Sequence, residues 1–165
     1  MNKYVIYCDL DGVLVSFDEG YYKLTGVHTH HADSQGNVYF WRLFKTKLNE
    51  KNISELEYWS SLDWMPDGKL LWNYIKKYNP HILTAPSRDK TSEIGKTLWV
   101  EEHINNEYDK LLFKPAKFKS DYSKINSILI DDRQDTIDRW NYKGGIGIFH
   151  IDASNTINEL KQLGL

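Results

Sequence analysis

At 165 residues and a formal net charge of −2, the chain has room for one domain with a small insertion. It is too nearly neutral for a broad nucleic-acid-binding face, which is basic. Its single cysteine, Cys8, excludes an internal disulfide and fits a cytoplasmic setting. No apolar run approaches the width of a bilayer, and the run near the N-terminus is too short for a signal peptide, so neither a membrane span nor a leader is expected. Hydrophobic residues make up 41% and aromatics 14%, with six Trp and eleven Tyr. Such a chain buries roughly 70% of its unfolded surface without staples, and its aromatics suit both a core and the walls of a pocket for flat ligands.

Tyr4 to Cys8 reads as a buried strand, followed at once by Asp9 and Gly12. Residues 17–24 form a short helix that ends near Gly26. His28 to Gly36 is loop-like, with Ser34-Gln35-Gly36-Asn37 as a turn signal. Phe40 to Leu48 places apolar residues at helical spacing, and Ser54 is a plausible cap for a helix over 54–59. Residues 16–65 are therefore read as a small, mostly helical cap, and residues 1–15 with 66–165 as the main core. From Pro66-Asp67-Gly68 onward strands and helices alternate. A helix over 69–78 turns Leu70, Leu71, Tyr74 and Ile75 inward, and a strand over 81–84 stops at Pro86. A helix covers 92–104, and strands cover 110–113, 125–130 and 145–149. A helical turn lies at 136–142 and a closing helix at 155–163. This alternation predicts an α/β fold, a Rossmann-like three-layer α/β/α core with a mainly parallel sheet. Ligands of such sheets bind at the carboxyl ends of the strands.

Those strand ends carry chemistry. After the first strand come Asp9 and Asp11, and after the second comes Thr84. After the third come Lys114, Lys117 and Lys119, and after the fourth come Asp131 and Asp132. Carboxylates gathered at neighbouring strand ends repel unless a cation joins them, and hard oxygens of this kind suit Mg²⁺. A carboxylate can attack phosphorus, and a second can pass protons to and from the reacting oxygens. A hydroxyl and an ammonium can hold phosphoryl oxygens where charge resides in the transition state. Gly12 lets the chain turn sharply behind the first pair.

DLDGVL, LTAP, the lysine group and ILIDDR together resemble the four motifs of the haloacid dehalogenase (HAD) superfamily of phosphohydrolases, over essentially the whole chain. The resemblance implies that Asp9 is a nucleophile and Asp11 a general acid/base. It implies phosphoryl contacts from Thr84 and a lysine, and Mg²⁺ held by Asp9, the backbone carbonyl of Asp11, Asp131 and Asp132. Counting from the strand end favours Lys117, with Lys114 and Lys119 as the alternatives. DLDGVLVSFDEG, YWSSLDWMPDG, ILTAPS, GKTLWVEEHI and ILIDDRQD further resemble the 5′(3′)-deoxyribonucleotidase family, which removes phosphate from deoxynucleoside monophosphates. Three features depart from that family. Ala85 stands where it commonly has Ser, Pro115 where it commonly has Arg, and the stretch from Lys114 to Asn126 is longer.

The implied partner is a small phosphate ester, a nucleotide by the family resemblance, with Phe17 and Trp41 as candidate base contacts and a homodimer compatible with the reading. Rival substrates are a sugar phosphate or a nucleic-acid 3′-phosphate end, and the rival class is a non-catalytic phosphate-binding module. Plainer readings exist for several residues. Asp9 and Asp11 alone could end a strand in a turn. Thr84 could be a strand residue, and Arg133 could pair with a neighbouring carboxylate. His28, His30 and His31 invite a zinc reading, but a tight histidine cluster without a distant fourth ligand is a weak one. Loop histidines of the cap are the plainer alternative.

Overall fold

The computed structural model describes residues 3–165. Its sheet is built from β1 (Val5–Cys8), β2 (His81–Thr84), β3 (Leu111–Phe113), β4 (Ser127–Asp131) and β5 (Ile146–Phe149). All pairings are parallel, in the order β3-β2-β1-β4-β5. The inner strands are apolar on both faces because helices cover both. Ile6 and Cys8 of β1, Ile82 of β2, and Ile128 and Ile130 of β4 enter the larger core, whereas the alternate residues Tyr7, Leu83 and Leu129 enter a second, smaller one. This is the period-two alternation of strands put to use on both sides.

Four helices, α1 (Phe17–Thr25), α2 (Thr29–Ser34), α3 (Asn37–Lys51) and α4 (Glu55–Ser60), follow β1 as a helical insertion. They are followed by α5 (Gly68–Ile75), and later by α6 (Thr91–Ile104), α7 (Gln134–Tyr142) and α8 (Ala153–Gln162). Helices α5, α6 and α8 supply Leu71, Trp72, Ile75, Trp99, Val100 and Leu160 to the larger core. Helix α7 supplies Ile137 and Trp140 to the smaller one. The buried residues Tyr21, Phe40, Phe44 and Leu48 of α1 and α3 extend the larger core into the helical insertion. Entry to and exit from that insertion are tied together: the Ser16 N–H donates to the Asp63 carbonyl at 2.8 Å, and the Met65 N–H to the Leu14 carbonyl at 2.7 Å.

Several local expectations hold for the physical reasons given. Gly26 ends α1 in the left-handed conformation at φ 76°. The Ser54 hydroxyl caps α4 by accepting from the Glu57 N–H at 3.1 Å. Cys8 is buried core. Others do not hold. Residues 29–34 are helical rather than loop, and the strand expected over 125–130 runs from Ser127 to Asp131 with Ile125 left exposed. Leu70, expected inward, is 54% exposed. The buried stripe of α5 is Gly68, Leu71, Trp72 and Ile75, a spacing of i, i+3, i+4 and i+7 that starts one turn earlier than the apolar run suggests.

Candidate active site

The four motifs meet because β1 lies between β2 and β4. Cys8 pairs with Ile82 on one side and Ile130 on the other. The Asp9 N–H continues the ladder onto the Ile130 carbonyl at 3.0 Å. Asp9, Thr84 and Asp131 therefore stand at adjacent strand ends, flanking the point where the strand order reverses. Behind Asp9 the chain doubles back. The Leu10 carbonyl accepts from the N–H groups of Val13, Leu14 and Val15. Gly12 takes φ 78°, and a Cβ there would collide with the Asp132 carboxylate. The glycine is required both for the turn and for the close approach of the second carboxylate pair.

The lysine that enters the cluster is Lys119, not Lys117. Lys119 is 2% exposed, and its Nζ lies 2.9 Å from Asp9 Oδ1 and 2.7 Å from Asp131 Oδ2. The segment Ala116–Tyr122 winds as a 3₁₀ helix, in which residues three apart share a face. Ala116 and Lys119 consequently turn to the cavity together, while Lys117 lies over the Phe118 ring at 4.7 Å, beside a separate shallow groove. Lys114 pairs with Asp121 at 3.4 Å. Counting along an extended segment selects the wrong lysine because the segment is not extended. Burial alone would lower the proton affinity of Lys119, but the charges of Asp9 and Asp131 outweigh it and raise it.

A second buried ammonium was not anticipated. Lys96 of α6 is 3% exposed and donates to Asp11 Oδ2 at 2.6 Å, the Ala85 carbonyl at 2.7 Å and Thr84 Oγ1 at 3.1 Å. On a helix a lysine ordinarily reads as surface, and only its place within GKTLWVEEH marked it out. Thr84 is fully buried, and its hydroxyl is engaged by Lys96.

One oxygen of Asp9, one of Asp131 and one of Asp132 lie within 4.8 Å of one another. Asp9 Oδ1 accepts from Lys119 and from the Leu10 N–H at 2.8 Å, and Asp131 Oδ1 accepts from the Arg133 N–H at 3.0 Å. Desolvation, then the charge of Asp9, pushes Asp131 up to about 6. Asp132 is pushed up to about 7 by desolvation and by repulsion from Asp9, Asp131 and Asp11. Asp132 is exposed at the rim of the cleft, where water screens part of that repulsion. Four carboxylates (Asp9, Asp11, Asp131, Asp132) face two ammoniums (Lys96, Lys119), which leaves two formal negative charges when all are ionised. An oxygen donor set with that surplus, open on one side to water, fits Mg²⁺. The side chain of Asp11 belongs to Lys96 rather than to this carboxylate group, and burial pushes its proton affinity up even against the Lys96 charge.

Above the carboxylates lies a cavity of about 470 Å³, within the range of small-molecule sites. Asp9, Asp11, Ala85, Lys96, Lys119 and Asp132 line its floor, and both expected aromatic residues, Phe17 and Trp41, line its wall with Phe40 and Trp59. Phe17 stacks on Trp59 with ring centroids 5.2 Å apart and 8° between planes. Asp33 and Asn37, which the sequence did not single out, also reach this wall. Arg133 pairs with Asp135 at 3.3 Å on the surface, the plainer of its two readings. The zinc reading of the histidines gains no support. His28 pairs with Asp18 at 2.8 Å, and among the described residues the carboxylate group is the one set of three or more metal-type donors brought together. Nor is any helix of the described residues long and apolar enough to cross a membrane.

No protein-family model and no curated protein sequence matches the chain. Solved structures do match. A haloacid dehalogenase-like family hydrolase from Xanthomonas campestris aligns with a TM-score of 0.60 at 12% identity, over 97% of this chain and 91% of that one. A hydrolase from Streptococcus pneumoniae aligns with a TM-score of 0.57 at 14% identity, over 97% and 100%. A magnesium complex of an HAD family enzyme from Bacteroides thetaiotaomicron aligns at 0.52 and 14%, over 89% and 92%. Identities this low speak to architecture alone, and at that level the result is plain: the chain has the α/β fold of the HAD-superfamily hydrolases.

Proposed function

We propose that the protein is a Mg²⁺-dependent phosphomonoester hydrolase that works through an aspartyl-phosphate and acts on deoxynucleoside monophosphates. The observation that carries the reaction class is the placing of Asp9 and Asp131 at adjacent strand ends, with the Lys119 ammonium paired to both and Asp11 two residues beyond the nucleophile. Residues 1–15 and 66–165 serve as the catalytic core, and residues 16–65 as a cap over the cavity. Asp9, Asp131 and Asp132, with the Asp11 backbone carbonyl, would hold the metal, which when bound would offset the charge of the phosphate against that of the carboxylates.

The protein's own groups perform the steps. Asp9 Oδ1 is held by Lys119 and the Leu10 N–H, which leaves Oδ2 as the attacking oxygen. As Oδ2 bonds to phosphorus, the bond from phosphorus to the ester oxygen breaks. Its electron pair goes to that oxygen, which takes a proton from Asp11 and departs as an alcohol. Burial favours the protonated form of Asp11 that this step needs. Water then attacks the phosphorus, Asp11 takes the water's proton, and the bond to Asp9 breaks to release inorganic phosphate. Ala85 and Lys119, which line the cavity, provide the phosphoryl contacts, whereas the expected contact Thr84 lies buried beneath them with its hydroxyl on Lys96.

The nucleotide reading rests on the aromatic wall of Phe17, Phe40, Trp41 and Trp59, which suits a flat base, together with the deoxyribonucleotidase resemblance of the motifs. The lone, buried Cys8 accords with a cytoplasmic enzyme. The test is phosphate release from 5′- and 3′-monophosphates, deoxy and ribo, beside sugar phosphates, a 3′-phosphorylated oligonucleotide and an aryl phosphate, each with Mg²⁺ and with EDTA. Metal-dependent turnover that favours deoxynucleotides is expected. Turnover of another ester would discard the substrate and keep the chemistry, and inertness toward every ester would overturn the phosphatase reading.

A further inference from the structure

The geometry points to Lys96 as a positioning residue that pins one oxygen of Asp11 and thereby presents the other to the leaving group. This inference rests on the phosphatase reading above. Lysines are almost never fully buried unless paired, and Lys96 is 3% exposed. An ammonium has three N–H donors, and here all three are taken, by Asp11 Oδ2, the Ala85 carbonyl and Thr84 Oγ1. Although Lys96 lines the cavity, it has no donor left for a phosphoryl oxygen. Its influence on the reaction therefore passes through Asp11.

The site is built to hold this lysine still. Helix α6 comes close to α4 at Gly95, where an added Cβ would lie 2.7 Å from the Trp59 Cβ and 2.9 Å from the Leu56 carbonyl oxygen. That approach brings the Trp59 ring over Lys96 Nζ, 4.7 Å from its centroid. Trp59 in turn stacks on Phe17 of the cavity wall. Lys96 of α6 is thus held by the end of β2 and by the helical insertion at once, and through it Asp11 in its tight turn is fixed. With Oδ2 pinned at 2.6 Å, Oδ1 has no donor among the described residues and is the oxygen that can carry a proton to the ester oxygen.

The experiment compares two esters by kcat/KM, which reports steps up to cleavage of the ester bond. A p-nitrophenyl ester departs as a stable anion and needs little protonation, whereas the best alkyl phosphate of the panel needs a proton from Asp11. Lys96→Met is expected to lower kcat/KM for the alkyl ester about 100-fold more than for the aryl ester, the scale of a misplaced general acid. Lys96→Arg, which keeps a cation against Asp11, should narrow that gap. Should Lys96→Met fail to fold by circular dichroism, Lys96→Gln reads the same ratio. Equal losses for both esters would overturn the role of Lys96 while leaving the phosphatase reading intact. A wild-type protein inert toward both esters would overturn the phosphatase reading and this inference with it.

Discussion

Replacing Lys119 by Met removes the only buried cation between Asp9 and Asp131 among the described residues while keeping most of the side-chain volume. At an effective dielectric near 20, opposite charges at the observed 2.7 and 2.9 Å attract by about 6 kcal/mol each. The cost of burying the ammonium offsets much of that, and breaking a buried ion pair by deleting one partner typically costs about 3–5 kcal/mol. The deficit has a ceiling, because the stranded carboxylates can take up protons instead. Asp131 stands at about 6 even with Lys119 present, and it rises further without it. The loss should therefore be largest near pH 8 and shrink toward pH 5.5. Urea denaturation in EDTA at both pH values measures it, with Lys117→Met as the control. Lys117 is exposed and lies over the Phe118 ring, so its loss should stay within about 0.5 kcal/mol. Equal losses for the two variants, or a Lys119→Met protein as stable as wild type at pH 8, would refute the reasoning. Mg²⁺ should restore part of the Lys119→Met deficit, since it supplies the missing positive charge.

Metal and proton compete for the same carboxylates. Asp131 and Asp132 sit above the unfolded carboxylate value near 4, so the metal-free folded state binds more protons than the unfolded one. Their contribution is fully present below about pH 4 and is lost as pH rises through about 6 to 7. The thermal shift produced by Mg²⁺ should accordingly be larger at pH 8 than at pH 5.5. Burial lowers His81 and His150 and works in the opposite direction, but the histidines contribute alike with and without metal, so the Mg²⁺-minus-EDTA difference isolates the carboxylates. Gly12→Ala would force an L side chain to φ 78° and drive its Cβ into Asp132. It should weaken Mg²⁺ binding by about 10–100-fold, the usual scale for disturbing a ligand's support, as read by calorimetric titration; unchanged affinity would remove Asp132 from the metal site. Phe17→Ala and Trp41→Ala should raise KM for a deoxynucleotide by about 5–100-fold, the scale of losing one base stack. The KM for a small alkyl phosphate should change little, and equal effects on both substrates would end their assignment to the base.

Much was legible from the chain because it depends on local order. An apolar run followed by Asp9, Asp11 and Gly12, and later by Asp131 and Asp132, announces strands that end in carboxylates whatever the rest does. A single helical insertion between strands, and parallel pairing of strands separated by helices, follow from the alternation of periods. What the sequence by itself could not determine were the choices made by distance in space. Lys117 and Lys119 are indistinguishable in composition, and only the 3₁₀ winding of Ala116–Tyr122 turns one inward and the other out. Lys96 lies 85 residues from Asp11, on a helix where a lysine ordinarily faces water. Its burial is decided by the close approach of α4 and α6 at Gly95 and by three acceptors that converge from separate segments. Sequence order determined which groups stand at the strand ends. Which ammonium neutralises which carboxylate was decided by tertiary packing alone, because a buried charge is tolerated only where partners from distant parts of the chain arrive together.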